Sequence, residues 1–281
     1  MTVSRGWPAP AKLNLMLHIT GRREDGYHLL QTVFQFIDYS DELSFEVTQS
    51  GDIHQLTPIS GVDAEDDLII RAARLLQQHS GCSQGAAISI EKRLPMGGGL
   101  GGGSSDAATA LVALNHLWGV GLPVDELAAL GGQLGADVPV FVYGNTAWAE
   151  GVGDILQLIE LPQPWYLVVK PPLEIATAKL FSDQELKRDC SPITIADFIA
   201  GDRLNVFTAV VKKRYPAVVE MMKLLDKFGD VRLTGTGACL FLSFERQQQA
   251  TETARQIPQK WDSFIAQGLN RSPLYRRLDN A

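Results

Sequence analysis

Cysteine is scarce in this chain: Cys82, Cys190 and Cys239 are the only three in 281 residues, widely spaced and without a Cys-x-x-Cys pair. That spacing speaks against a disulfide framework or a zinc site and fits a reducing compartment. No apolar run approaches the length of a membrane span. The first ten residues contain Arg5, Pro8 and Pro10 and lack the apolar core of a signal peptide. Basic charge is also short. Lys and Arg number 25 against 32 Asp and Glu, a formal net charge of −7, which argues against a general binder of nucleic acid or membrane surfaces. The expectation is a soluble cytoplasmic protein, with its oligomeric state open. Apolar residues at 45% and charged residues at 20% are globular values, and the length is comfortable for two cores.

Glycine, by contrast, is concentrated. One stretch reads Leu94-Pro95-Met96-Gly97-Gly98-Gly99-Leu100-Gly101-Gly102-Gly103-Ser104-Ser105-Asp106-Ala107-Ala108. It lies between a strand-like run at 87–94 and a run of helix formers at 106–117. A turn without side chains that opens a helix at its positive end is a cradle for a phosphate chain. A flexible linker is the ordinary alternative, but linkers seldom begin with Pro and end in Ser-Ser-Asp-Ala-Ala. A Walker loop fails, because Gly103 stands where the lysine should be. The dinucleotide pattern matches at Gly97, Gly99 and Gly102, which is cheap among six glycines. Its ribose-binding acid is missing, since Asp125 and Glu126 follow Pro123 and read as a first helical turn. The strand that follows a protein-kinase loop is absent too.

Periodicity predicts strands over 12–19, 32–39, 42–48 and 87–94, and helices over 67–78, 104–118 and 124–134. A hairpin-like pair is expected at 146–149 and 155–160. Leu161-Pro162-Gln163-Pro164 reads as a boundary, giving domains 1–161 and 162–281. Beyond it, strands are expected at 165–170, 239–244 and 263–267, with helices at 177–182, 194–200, 206–213, 217–228 and 247–256. This mixed order indicates an α+β protein, not a parallel doubly wound sheet.

Three further segments carry a resemblance: Pro10-Ala11-Lys12-Leu13-Asn14-Leu15, the stretch containing Asp25-Gly26-Tyr27-His28, and Leu233-Thr234-Gly235-Thr236-Gly237-Ala238-Cys239. Together with the glycine loop and Gly135-Ala136-Asp137-Val138-Pro139, they make the chain similar, over nearly its whole length, to the GHMP kinase superfamily. Within it, the chain resembles the branch that phosphorylates 4-diphosphocytidyl-2-C-methyl-D-erythritol. The loop specifies the superfamily; the Gly26-Tyr27-His28 and 10–15 segments specify the branch. The resemblance implies two α+β domains with the site in the cleft between them, ATP as phosphoryl donor, and Mg2+. It implies transfer to the 2-hydroxyl of that acceptor.

In this reading Pro95, Met96, Gly97, Gly98, Gly99, Leu100, Gly101, Gly102, Gly103, Ser104 and Ser105 hold the nucleotide phosphates. The two serine hydroxyls either bond phosphate or magnesium or cap the following helix. Asp137, an ordinary turn or cap residue by its context, is implied as the catalytic base. Lys12, by default a snorkelling surface lysine, is implied to point into the site and hold Asp137 anionic. The resemblance places Tyr27, His28 and Phe181 around cytosine, as two stacking rings and a hydrogen-bonding imidazole, and Asn14 near the methylerythritol end. Asp67 stands where relatives often carry Asn near adenine, and it equally suits a helix cap. The 235–237 turn is expected to support the cleft, Cys239 to be a buried small residue, and Asp106 to be tolerated at the helix start. No metal ligand can be named. Lys12, Arg22, Arg23, Lys92 and Arg93 are the candidates for local positive charge.

Three alternatives stay open. A homoserine, mevalonate or galactose kinase would have no use for Tyr27 and His28. A non-catalytic nucleotide-binding protein is disfavoured by the presence of Lys12 and Asp137. A dinucleotide-dependent oxidoreductase lacks its ribose-binding acid.

Overall fold

The computed structural model describes residues 2–63 and 65–280. Its first half contains β1 (Thr2–Arg22), β2 (His28–Thr48), β3 (Ile53–Gln55), α1 (Leu68–Ser80), β4 (Gly85–Glu91), α2 (Gly102–Leu117), α3 (Val124–Leu134), α4 (Val138–Tyr143), β5 (Ala147–Glu150) and β6 (Ile155–Leu158). The second half follows with β7 (Trp165–Lys170), α5 (Thr177–Phe181), α6 (Ile195–Ala200), α7 (Phe207–Arg214), α8 (Pro216–Leu225), β8 (Arg232–Leu233), β9 (Leu240–Phe244), α9 (Gln247–Ala254), β10 (Asp262–Leu269) and α10 (Pro273–Leu278). The α+β expectation agrees with this order. Among the described residues, no helix is long and apolar enough to cross a membrane.

The sheet runs β3-β4-β2-β10-β7-β9-β8, with β1 paired to β2 and the β5–β6 hairpin attached beside it. Among the described residues, β3–β4 is the one parallel strand pair. β1 and β2 are each 21 residues long and pair through four register shifts, two of which bracket Lys12 and Asn14. Such irregularities bend a strand and re-aim its side chains. The structure lengthens the strand expected at 12–19 in both directions. Pro8 and Pro10 hide its first half, and they are tolerated because the only strand β1 pairs with along its length, among the described residues, is β2.

One helix was not expected at all, and another starts earlier than expected. Residues 138–143, rich in β-branched and aromatic side chains, form helix α4. Pro139 sits in its first turn, and Val138, Pro139, Val140, Phe141 and Val142 are all buried. Burial of that face, about 1.5–3 kcal/mol for each large side chain, outweighs the few tenths of intrinsic preference. The expected helix at 104–118 begins earlier, at Gly102, so the last two loop glycines lie inside α2. Local signals serve better elsewhere. Asp67 caps α1 by accepting the Ile69 amide at 2.8 Å, and Gly81 closes that helix in the left-handed conformation.

α2 is the pivot of the first half. Every residue from Ser105 to Leu114 is buried, against α1, α4, β1 and β2. A second core gathers Leu167, Val169, Phe207, Met221 and Leu240. The two halves exchange ends: Leu17 and Ile19 of β1 join the second core, and Leu269 and Leu274 near the C-terminus join the first. A third cluster, with Leu13, Leu94, Leu100, Cys239 and Phe241, fills the space behind the glycine loop.

Candidate active site

A cleft of about 1000 Å³ gathers most of the segments singled out above. Its floor is the glycine loop, which leaves β4 and enters α2. Asp41 on β2 sets the loop's start: one carboxylate oxygen accepts the amides of Arg93 and Leu94 at 2.5 and 2.7 Å. Its other oxygen takes Lys92 Nζ at 2.5 Å, and Lys92 also donates to Asp106 on α2 at 2.8 Å. One lysine between two buried carboxylates thus ties both ends of the loop together. Burial pushes the Asp106 carboxyl up to about 8, against the pull of Lys92 and with the help of Asp41.

The 234–239 turn fastens the loop from above. Ala238 and Cys239 donate their amides to Gly97 and Gly98, and the Thr234 hydroxyl donates to the Gly99 carbonyl at 3.1 Å. Gly99 has φ +74, and a Cβ there would collide with the Thr234 carbonyl, so no other residue fits. The expected supporting role of this turn has a physical form in these bonds. Cys239 is fully buried with its thiol pushed up to about 12 by burial, which suits packing and not nucleophilic attack.

The cap position of α2 is Gly101, which has φ +75 and no side chain to cap the helix. Neither Ser104 nor Ser105 caps it. Ser105 donates its amide to Gly101, and the amides just before it have no acceptor within the helix. A negatively charged group is favoured at this end. Ser104 lines the cleft. Ser105 does not: it is fully buried and its hydroxyl finds no partner. The remaining loop residues, from Pro95 to Gly103, all line the cleft.

Lys12 is 3% exposed, far from a snorkelling surface residue. Its ammonium donates to Asn14 Oδ1 at 2.5 Å and to the Gly99 carbonyl at 3.2 Å, lies 5.3 Å from the Phe34 ring centre, and stands 3.4 Å from Asp137 Oδ2. Asn14 is held in turn by Thr32, whose hydroxyl accepts its amide nitrogen at 2.8 Å. Asp137 occupies the cap position of α4, yet its carboxylate caps nothing and is 38% exposed in the cleft. A buried ammonium is thereby set beside a carboxylate that keeps its outer oxygen free for another partner.

Tyr27, His28 and Phe181 also line the cleft. Tyr27 is 61% exposed, and the His28 and Phe181 rings lie 5.1 Å apart, tilted by 34°. Phe181 also meets Phe207 edge-on at 4.9 Å. Of the five basic candidates, Lys12, Arg22 and Lys92 line the cleft. Arg23 and Arg93 do not line it: Arg23 pairs with Asp25, and Arg93 with Glu91 and Glu42. Asp67 lines the cleft with its carboxylate engaged as the α1 cap. Sequence reasoning missed Asp41, the loop anchor, and Arg188, which contacts His28. Arg188 stands in a charged run, Glu185-Leu186-Lys187-Arg188-Asp189, that reads as ordinary surface.

Comparison with known proteins matches residues 67–145 to the GHMP kinases N terminal domain and residues 192–263 to the GHMP kinases C terminal. The 4-diphosphocytidyl-2-C-methyl-D-erythritol kinase of Nitrosococcus oceani is 56% identical over 273 residues, 97% of this chain and 98% of that one. The protein of the same name from Pseudomonas aeruginosa is 53% identical over 279 residues, 99% of each. A solved 4-(cytidine 5'-diphospho)-2C-methyl-D-erythritol kinase superposes with a TM-score of 0.82 at 31% identity, over 95% of this chain and 99% of that one. The mevalonate kinase of Methanococcus jannaschii, at 17% identity and a TM-score of 0.69 over 96% of this chain and 98% of that one, shares the fold.

Proposed function

Because this chain belongs to the GHMP kinases and, within them, to the 4-diphosphocytidyl-2-C-methyl-D-erythritol kinases, we infer that it phosphorylates the acceptor those kinases are named for. It transfers the γ-phosphate of ATP to the 2-hydroxyl of 4-diphosphocytidyl-2-C-methyl-D-erythritol, in the non-mevalonate route to isoprenoid precursors. The domain divide is placed at Leu161, with the loop and the reacting residues before it. Three free cysteines suit a reducing compartment, and the enzyme is placed in the cytoplasm.

The observation that carries the mechanism is the Lys12–Asp137 pair under the glycine loop. Asp137 accepts a hydrogen bond from the acceptor hydroxyl, aligns its oxygen with the γ-phosphorus, and receives its proton as the new O–P bond forms and the bond to ADP breaks. Lys12 stabilises the negative charge growing on that oxygen, and its bonds to Asn14 and Gly99 keep it from swinging away. The amides at the start of α2 and the loop hold the phosphate chain, so positioning supplies much of the rate. Tyr27, His28 and Phe181 receive the cytosine, and Asn14 the methylerythritol end.

Magnesium bound to a nucleotide takes mostly phosphate and water oxygens, with one or two protein ligands. The donor set fits that habit. Among the described residues no group of three or more His, Cys, Asp or Glu is disposed to hold a metal, while the Ser104 hydroxyl and Asp137 carboxylate line the cleft. When bound there, the ion would neutralise phosphate charge.

The test is ADP release from ATP and magnesium with this acceptor, for the wild type and for Asp137→Asn. Turnover confined to this acceptor, and a kcat about 10²- to 10⁴-fold lower in the variant with KM for ATP little changed, is the expected result. Turnover with homoserine or mevalonate instead would overturn the cytosine reading, and an unimpaired Asp137→Asn would remove that residue from the chemistry.

A further inference from the structure

His28 has a neighbour that constrains which of its nitrogens carries the proton. The guanidinium of Arg188 donates from Nε to His28 Nε2 at 3.1 Å. Its other nitrogens donate to three carbonyls: Leu186 at 3.0 Å, Phe181 at 2.9 Å and Asp183 at 2.7 Å. With three nitrogens committed to four acceptors, the side chain has little freedom to turn away. Arginine has no lone pair to offer and stays protonated, so His28 Nε2 must be the acceptor. The ring proton of neutral His28 then sits on Nδ1. Protonating the ring would break the bond and set two cations side by side.

We propose that Arg188 is a positioning residue that holds His28 as its neutral Nδ1–H tautomer, so that the cleft presents a hydrogen-bond donor to the base and selects a pyrimidine with an acceptor in its ring. This rests on the reading that the base is received among Tyr27, His28 and Phe181. Cytosine and uracil share the O2 acceptor, so the discriminating atom is N3: unprotonated in cytosine, it accepts the imidazole N–H, whereas the N3–H of uracil would meet donor with donor. A site built around a hydrogen bond rejects the analogue that cannot make it far more strongly than an apolar pocket would. The same guanidinium pins the Phe181 carbonyl, so the imidazole and the aromatic ring beside it are set by one side chain.

The surroundings agree. Burial lowers the His28 pKa, followed by the positive charges of Arg188 and Arg22. The nearby carboxylates are engaged elsewhere: Asp25 pairs with Arg23 at 2.7 Å and Asp183 with Arg214 at 2.9 Å. The balance beside the ring is set by burial and the two guanidinium groups, which disfavour imidazolium.

The chain has five histidines, so 15N-histidine labelling, with His28→Ala to identify the resonance, reads the tautomer directly on the wild-type enzyme. Nδ1–H at neutral pH is expected; Nε2–H would overturn the proposal without any need for a folded variant. In Arg188→Met the resonance should move toward the mixed tautomers of a free imidazole, and the pH at which His28 protonates should rise. Discrimination between the cytidine and uridine forms of the acceptor, as a ratio of kcat/KM, should fall by at least about tenfold. KM for ATP should stay within about threefold. A merely structural Arg188 would lower activity on both acceptors alike and leave the ratio intact, which counts against the proposal. If the tautomer responds as expected but His28→Ala leaves both acceptors' kcat/KM unchanged, the tautomer lock stands and the cytosine placement fails.

Discussion

Replacing Gly98 with alanine tests why the glycine loop lies where it does. Gly98 is not among the left-handed glycines, so its backbone conformation admits any residue. What excludes a side chain is space: a Cβ there would lie 2.6 Å from Cys239 Sγ, with Pro95 O at 3.4 Å and Leu100 Cδ1 at 3.8 Å. Ordinary contact needs roughly 3.5–4.0 Å, so loop and turn must part by about 1 Å. That motion would stretch the amide bonds from Ala238 to Gly97, at 3.3 Å, and from Cys239 to Gly98, at 3.2 Å. Overpacking of this kind costs about 1–3 kcal/mol, or about 2–6 °C in melting temperature for a chain of this size. A phosphate loop displaced by about 1 Å should lower kcat/KM for ATP by about 10- to 100-fold.

Cys239→Ala removes the sulfur that the new methyl group would strike. Alone it costs about 1 kcal/mol for the lost contacts. Combined with Gly98→Ala it should restore most of the stability and part of the activity, with a coupling of at least about 1 kcal/mol in a double-mutant cycle. The assay pairs thermal melts with steady-state kinetics on the four proteins. A coupling within about 0.5 kcal/mol of zero, beside a clear loss in Gly98→Ala alone, would refute the claim that this sulfur sets the loop's position.

Asp106 predicts a pH dependence. Its folded carboxyl, raised chiefly by burial, keeps a proton that the unfolded chain releases. Stability therefore falls as pH rises between about 4 and 8, and Asp106→Asn should gain on the wild type across that interval. Melting temperatures at both ends of the interval check this, and a constant difference between the two proteins would contradict it. Thr234→Val keeps the shape but strips a fully buried hydroxyl that accepts the Asn14 amide at 3.0 Å and donates to Gly99. A destabilisation of about 1–3 kcal/mol in denaturant is expected, because the buried Asn14 backbone N–H loses its partner while the Gly99 carbonyl keeps Lys12. A loss below about 0.5 kcal/mol would mean that water replaces the hydroxyl.

Short-range chemistry was readable in the residues alone. The bounds of α3 and β7 agree with the expectation, Asp67 and Gly81 punctuate α1, and the glycine run sits between a strand and a helix. Each follows from periodicity, caps and turns, which act over a few residues. The resemblance in the quoted motifs went further and pointed to the GHMP kinases, a family that the comparisons with known proteins show. Tertiary structure decided the rest. Burial made a helix of residues 138–143 against their own preference and left the Asp137 carboxylate uncommitted at its start. Strand pairing with two flanking bulges turned Lys12 inward to the Gly99 carbonyl, 87 residues away. Arg23 and Arg93 ended in exposed ion pairs instead of lining the cleft, and only the folded chain brought Arg188 to His28, 160 residues distant. Those contacts join residues that share no local signal, since which side chains meet across a cleft depends on how the whole sheet is paired and what its helices bury.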